Sequence, residues 1–245
     1  MNYNHIEKLS YTELKKIAED MDLKPSRTKE DVLKQVVCAL KEYENYKKNN
    51  VDKYTKIKQL GNKGKEGITY LVTCKNNNEE YAMKTFRKQK SSEKLRQEVK
   101  LQELASTADI SPKIIDVDTV SKYIVMDKMD KHLVDVLNKQ NGILNRVQQK
   151  QLINIYKKLD DVGVFHSDAN LLNYMFKGKQ LYIIDFGMAK EITNQLVRKL
   201  GTTTPNLHIM TLGLILKLKE LNCPETSYDY LSKFLSDEQK EKFNI

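Results

Sequence analysis

Cysteine is scarce in this sequence. Three are present, Cys38, Cys74 and Cys223; the number is odd and no two share CxxC spacing. That excludes a disulfide scaffold and a zinc ribbon, and it fits a reducing intracellular compartment, cytoplasm or nucleus. Histidine is sparse too. The four histidines are scattered, so nothing indicates a His-based metal centre. Long apolar runs are absent: the longest, residues 209–216, falls far short of the ~18 needed to span a bilayer. No membrane partner is expected. Residues 1–16 are polar and charged, without the apolar stretch of a signal peptide, so secretion is not expected either. Apolar residues are nevertheless plentiful. At 40% hydrophobic and 31% charged, the 245 residues exclude a fully disordered chain and allow one medium domain plus a small appendage.

The formal net charge is +9, and residues 54–110, with 12 basic and 7 acidic side chains, carry more than half of that surplus. A basic surface attracts polyanions such as nucleotides, nucleic acids or acidic proteins. A lysine- and asparagine-rich coding bias gives the same composition, so charge alone selects no partner.

Residues 8–48 read as two helices joined by an extended link. Ser10 and Glu13 have capping-box spacing. Leu14, Ile17, Ala18 and Met21 line one helical face, and Val32, Leu33, Val36, Val37 and Leu40 line a second. Pro25 interrupts the link and Thr28 is an N-cap candidate. Residues 41–53 read as a fraying end and a linker. The texture then changes. Residues 67–74 and 80–87 read as strands around an Asn76-Asn77-Asn78 turn, followed by a helix at 92–105 and strands at 114–117 and 123–127. Beyond Lys131 the chain is mostly helical, with a strand pair at 173–176 and 181–184 and helices at 206–221 and 226–243. Strands first and helices later predict an α+β protein with a sheet lobe and a helical lobe.

The chemistry concentrates in His166-Ser167-Asp168-Ala169-Asn170-Leu171-Leu172-Asn173, an HxDxxxxN pattern, with Asp185-Phe186-Gly187 starting twelve residues after Asn173. Phosphoryl transfer from ATP needs a carboxylate beside the attacking hydroxyl and oxygen ligands for a phosphate-bound magnesium. Asp168 can be the first, and Asn173 and Asp185 the second, brought together by the intervening hairpin. Tyr182-Ile183-Ile184 would hold Asp185 in place.

Here the sequence resembles the protein-kinase-like superfamily, with a bilobal fold of antiparallel-sheet N-lobe and reduced helical C-lobe. The resemblance divides the chain into 54–130 and 131–245, after a helical module at 1–48 and a linker at 49–53. It covers 54–190 well and the remainder poorly. Gly61, Gly64 and Gly67 stand where the family has its glycine-rich phosphate loop, spaced GxxGxxG rather than GxGxxG. Tyr81-Ala82-Met83-Lys84 resembles the VAIK strand, which implies that Lys84 contacts the α- and β-phosphates and Ala82 lines the adenine slot. The implied partner of Lys84 is Glu98 on the next helix. Met126 corresponds to the gatekeeper, and backbone at Asp127 and Met129 to the adenine contacts. The implied cofactors are ATP with Mg²⁺ or Mn²⁺, and the implied activity is transfer to Ser or Thr of a protein substrate.

Departures qualify this. Ser167 replaces the arginine of HRD, so a phosphorylated activation loop has no cation there; activity independent of such phosphorylation is expected. Asn170 replaces a lysine. His208-Ile209-Met210-Thr211-Leu212-Gly213 resembles the DxWSxG helix with histidine in place of aspartate, and no APE motif follows. These features resemble compact atypical kinases, namely the KEOPS and RIO types and small kinases of large DNA viruses. The HSDxxxxN form and the composition favour the viral group, which implies a host cell or virion setting. Two other classes are carried beside the protein kinase. A small-molecule kinase of the aminoglycoside or choline type shares HxDxxxxN, and a pseudokinase-like nucleotide- or DNA-binding scaffold would account for Asn170 and His208.

The N-terminal segment resembles the SAP motif through Leu9, Leu14, Ile17, Met21-Asp22-Leu23, Thr28-Lys29, Val32-Leu33 and Val36. Asp22 and Ser26 stand where that family has glycine. The resemblance implies a DNA contact through Lys24, Arg27 and Lys29 within residues 8–48.

Overall fold

A computed structural model describes residues 3–21, 23–49, 53–61, 64, 66–87 and 89–245. Asp22, Asn62, Lys63, Lys65 and most of the predicted linker lie outside them. The chain forms two compact units: residues 1–95 with 118–123, and residues 96–117 with 124–245.

The first unit begins with a 3₁₀ segment, Tyr3–Lys8, then α1 (Tyr11–Asp20) and α2 (Lys29–Asn49). Ser10 and Glu13 form the expected capping box. Thr28 Oγ1 accepts the Asp31 N–H at 3.2 Å. The apolar stripes meet as Leu14, Ala18, Val32 and Val36, all fully buried, with Leu9, Ile17, Met21, Leu23, Leu33 and Leu40 around them. The link between the helices is tied from both sides: Tyr11 donates to Ser26 O at 2.9 Å, and Gln35 accepts the Ser26 N–H at 3.1 Å. A meander follows, β1 (Tyr54–Leu60), β2 (Gly67–Cys74) and β3 (Glu80–Phe86). It is antiparallel throughout, with Tyr54 opposite Cys74 and Lys84 opposite Thr69. Gly67 is sterically required, since a Cβ there would lie 2.0 Å from Thr85 O on the paired strand.

The second unit holds most of α3 (Ser92–Thr107), β4 (Ile114–Asp118) and β5 (Tyr123–Asp127). It then runs through β6 (Lys131–His132), α4 (Leu133–Lys139), α5 (Arg146–Asp161), β7 (Val164–Phe165), β8 (Tyr174–Lys177), β9 (Gln180–Ile183), β10 (Lys190–Glu191), α6 (Asn194–Leu200), α7 (Thr211–Glu220) and α8 (Asp237–Phe243). The amphipathic α5 centres its core: Leu152, Ile153, Ile155, Tyr156 and Leu159 pack with Leu133, Tyr174, Ile183, Leu214 and Ile215. A small sheet of order β6-β8-β9 carries one side of the catalytic-loop pattern, and a β7–β10 pair the other. Among the described residues no helix is long and apolar enough to cross a membrane.

Two expected helices differ. The segment 206–221 opens with a π-helical turn, Asn206–Met210, before α7. The segment 226–243 is not one helix but two 3₁₀ turns, Glu225–Ser227 and Leu231–Phe234, then α8. Side-chain anchors override helical periodicity there. Ser227 Oγ accepts the Leu144 N–H at 3.0 Å and donates to Gly142 O at 2.9 Å, and Gln149 accepts the Tyr230 N–H at 2.9 Å. Ser236 then restarts the helix with a capping box to Gln239.

Candidate active site

The segment between β7 and β8 brings the HxDxxxxN residues onto one turn. His166 is fully buried; its Nε2 lies 3.0 Å from Ile184 O and its ring packs edge-on against Phe186 at 5.0 Å. Nε2 therefore carries the proton that Ile184 O accepts. Burial holds the imidazole below its usual pKa and so in the neutral form. The next residue, Ser167, has φ +61°, a left-handed backbone that costs a non-glycine residue about 1–2 kcal/mol. That conformation lets its hydroxyl donate to Met188 O at 2.7 Å.

Asp168 is fixed through both carboxylate oxygens. Oδ2 accepts from the Asn173 amide at 2.8 Å, and Oδ1 accepts the Asn170 N–H at 3.1 Å. Asn170 in turn caps the 3₁₀ turn Leu171–Asn173, accepting the Leu172 N–H at 3.0 Å. Asn173 is buried, and its backbone carbonyl accepts the Ile184 N–H at 2.8 Å. That bond ties the loop to the residue before Asp185. Asp185 itself sits at φ +66°, the second left-handed non-glycine at this place, and starts the 3₁₀ turn Phe186–Met188. Left-handed non-glycine backbone at such positions is found in functional loops.

Within the same unit, buried Glu98 on α3 places a carboxylate oxygen within 4.8 Å of one from Asp185. Two carboxylates this close favour a nearby cation. With its amide nitrogen given to Asp168, Asn173 has its carbonyl oxygen left as a ligand atom. Hard oxygen donors of this kind suit magnesium or manganese, so the donor set fits such an ion.

Met126 on β5 is buried, its sulfur 3.6 Å from the Gln102 amide. The Asp127 N–H donates to Lys113 O at 3.0 Å. Met129 is half-buried just beyond β5. In the first unit, Ala82 is buried opposite Leu71, and Lys84 Nζ lies 3.9 Å from Glu66 Oε2. Gly61 adopts φ +67°, and the Gly64 N–H donates to Gly67 O at 2.9 Å. Lys24, Arg27 and Lys29 are exposed around the start of α2.

The support expected from the helix near His208 comes instead from Asn206. Its Oδ1 accepts the backbone N–H of His166 at 3.0 Å, and its amide donates to Asp160 Oδ1 and Val164 O, each at 2.7 Å. Asp160, on the last turn of α5, also accepts the N–H groups of Asn206 and Leu207 at 3.0 and 2.9 Å. Burial outweighs these bonds and raises the Asp160 carboxyl above its usual range. His208 lies off this path, its Nδ1 2.9 Å from the Thr202 hydroxyl. Asn206, Asp160 and Glu66 escaped the sequence reading because single polar residues carry no periodicity. The available hint was an acid closing the apolar stripe of α5, one turn before β7.

Residues 54–206, more than half of the chain, match the protein kinase domain family. The chain belongs to that family. This kinase is 30% identical over 164 residues to an Acanthamoeba polyphaga mimivirus protein that carries a serine/threonine-protein kinase name; the match covers 61% of this chain and 29% of that protein. It is 30% identical over 92 residues to the serine/threonine-protein kinase MPS1 of Saccharomyces cerevisiae, covering 34% of this chain and 12% of the yeast protein. It is 28% identical over 150 residues to the Bacillus subtilis protein YbdM, also named for serine/threonine kinase activity, covering 56% and 58%. The chain thus spans less than two thirds of each relative. Kinases of this family use ATP with a divalent cation.

Proposed function

We propose that this kinase transfers the γ-phosphate of ATP to Ser or Thr hydroxyls of a protein substrate. Asp168 orients the acceptor hydroxyl and takes up its proton. Asn173 and Asp185 hold Mg²⁺ or Mn²⁺, whose chemistry is to neutralise charge on the phosphates. Lys84, partnered by Glu98, binds the α- and β-phosphates beneath Gly61, Gly64 and Gly67. Ala82, Met126, Asp127 and Met129 form the adenine slot. The observation that carries this reading is the Asp168–Asn173 bond at 2.8 Å, locked to the Asp185 turn through Asn173 O and Ile184 N at 2.8 Å. A carboxylate oriented by a metal-binding amide is what an in-line transfer to a hydroxyl requires.

Independence from activation-loop phosphorylation belongs to the same reading. What supports it is anchoring of the segment after Gly187 without a phosphate: the Ser167–Met188 bond, the β7–β10 pair, the Ile192 N–H to Gly163 O bond at 2.8 Å and the Glu191–Lys100 ion pair. The test is phosphate incorporation from radiolabelled ATP into basic and acidic protein substrates with Mg²⁺ or Mn²⁺, beside Asp168→Asn. Transfer by the unphosphorylated wild type, and its loss by roughly 10³-fold or more in the variant, is expected. Equal incorporation by both would end this assignment, and turnover of amino-sugars or choline alone would move it to the small-molecule class.

A second reading concerns the α1–α2 hairpin, in which Lys24, Arg27 and Lys29 flank a tied-down link and contact DNA phosphates. Its test is duplex-DNA anisotropy at low salt, with a Lys24→Glu/Arg27→Glu variant expected to bind more weakly and with a shallower salt slope.

A further inference from the structure

Glu66 closes the glycine-rich segment, and its carboxylate is directed at the lysines of the following strand and turn. Glu66 Oε2 lies 2.8 Å from Lys90 Nζ and 3.9 Å from Lys84 Nζ. The Lys90 side chain is only 8% exposed, unusual for lysine. Its ammonium stands 4.4 Å from the Phe86 ring centre, and that of Lys84 stands 5.0 Å from the same ring. The backbone holds this cluster in place. The Arg87 N–H donates to Glu66 O at 2.9 Å, and the Arg87 guanidinium donates to Gly64 O at 3.3 Å. The end of the loop is therefore clipped to the end of β3, with the exposed Glu66 carboxylate reaching toward Lys84 and Lys90.

We propose that Glu66 sets nucleotide affinity by competing with the phosphates for Lys84, and that Lys90 holds the Glu66 carboxylate as the phosphates arrive. The inference rests on the reading that Lys84 contacts the α- and β-phosphates. Lys84 can serve one partner carboxylate and the phosphates together, but a second carboxylate beside it, that of Glu66, sets like charge against the phosphates. Binding a triphosphate at Lys84 is therefore favoured when Glu66 withdraws. Lys90, already the nearer cation, gives the carboxylate a place to stay without leaving the loop. Affinity for the phosphate moiety then depends on how strongly Glu66 holds Lys84, and the adenosine moiety does not enter that competition.

The test is isothermal titration of MgATP and of adenosine into the full chain, three single variants and one double variant, with folding checked by far-UV circular dichroism. Glu66→Gln keeps the shape and removes the charge. It should tighten MgATP roughly three- to tenfold and leave adenosine unchanged. Lys90→Met removes the holding cation and keeps the aliphatic stem. It should weaken MgATP while leaving adenosine unchanged, and that loss should vanish when Glu66→Gln is added. Lys84→Met tests the underlying reading separately, because it should weaken MgATP and not adenosine. If Lys84→Met behaves so and Glu66→Gln leaves MgATP unchanged, weakens it, or tightens both ligands alike, the competition is refuted and the Lys84 reading stands. If Lys84→Met leaves MgATP binding intact, the Lys84 reading falls and the competition falls with it.

Discussion

Replacing Asn206 by aspartate changes one NH₂ group to an oxygen at the same place. The acceptor toward the His166 N–H survives. The two donations, to Asp160 Oδ1 and Val164 O at 2.7 Å each, become contacts between oxygens. Asn206 is fully buried, so no solvent relieves them. Val164 O loses this donor, a loss worth about 1–3 kcal/mol, while Asp160 Oδ1 keeps the Asn206 backbone N–H but meets an oxygen in place of the amide. The new carboxylate also faces Asp160, whose carboxyl burial already raises above 3.8. Two facing carboxylates cannot both ionise cheaply, so the pair takes up a proton that the unfolded chain does not hold at neutral pH. The deficit at pH 7.5 should be about 3–6 kcal/mol, a large part of the 5–15 kcal/mol typical of a domain. The sign with pH follows. A carboxyl whose folded pKa is raised contributes stability fully below its unfolded pKa and loses that contribution as pH rises through the folded value. The deficit of Asn206→Asp should therefore narrow as pH falls from 7.5 toward the carboxylate range, where a shared proton restores an O–H···O bond. Urea unfolding at pH 7.5 and 5.0 measures it, with far-UV circular dichroism as the probe because the chain contains no tryptophan. A deficit under 1 kcal/mol at pH 7.5, or one of equal size at both pH values, would show that Asn206 does not hold the loop as described.

Gly67→Ala should cost about 3 kcal/mol or more, because its Cβ would meet Thr85 O at 2.0 Å, while Gly64→Ala, whose nearest contact is 3.4 Å, should cost far less; equal melting temperatures for the two would refute the close strand approach. Ser167→Ala loses the bond to Met188 O and keeps φ +61°, whereas Ser167→Gly loses the same bond and relieves the strain. The glycine variant should be the more stable by about 1 kcal/mol, and the reverse order in chemical denaturation would remove the strain argument. His166 has its pKa lowered from 6.5 by burial, so its contribution is present above pH 6.5 and is lost as pH falls through the lowered folded value. The stability gap between wild type and His166→Phe should therefore shrink on acidification, and a gap that widens would mean that the imidazole is charged in the fold.

Elements whose burial repeats along the chain were legible in the sequence. The stripes Leu14–Ala18 and Val32–Val36 became the hairpin core, the stretch 147–159 became the buried face of α5, and strands 67–74 and 123–127 stand at their expected bounds. The HxDxxxxN spacing placed Asp168 and Asn173 in one turn because five residues of loop can bring their side chains together and the Leu171–Asn173 3₁₀ turn does so. Illegible were the parts set by one polar group reaching across the fold. Gln149 and Ser227 break the last expected helix by bonds to residues some 80 positions away in sequence. Asn206, the first residue of the π-helical turn, bonds the His166 N–H and Asp160, while His208 turns to Thr202. Periodicity reports which face is buried; it is silent on which polar atom finds which partner.

The same distinction explains the departures from the family pattern as one arrangement. With Ser167 in place of arginine, the segment after Gly187 must be held without a phosphate–arginine pair. Short loops favour this, because closing a few residues costs little entropy. From Gly187 to Asn206 the chain is tied at Met188 by the Ser167 hydroxyl, at Lys190 and Glu191 by β7, at Ile192 by Gly163, and at Asn206 by Asp160 and His166. The hydroxyl of Thr193 caps α6 and Gly201 ends it, so the stretch between ties is itself a folded helix rather than a free loop. Four of these anchors converge on residues 160–167, the run leading into Asp168. Ordering the segment and positioning Asp168 are thus one structural event, in which charge enters through the half-buried Asp160 carboxylate and the Glu191–Lys100 ion pair. A longer segment could not be held this way without adding either a cation to dock on or apolar surface to bury, and this chain supplies neither at Ser167.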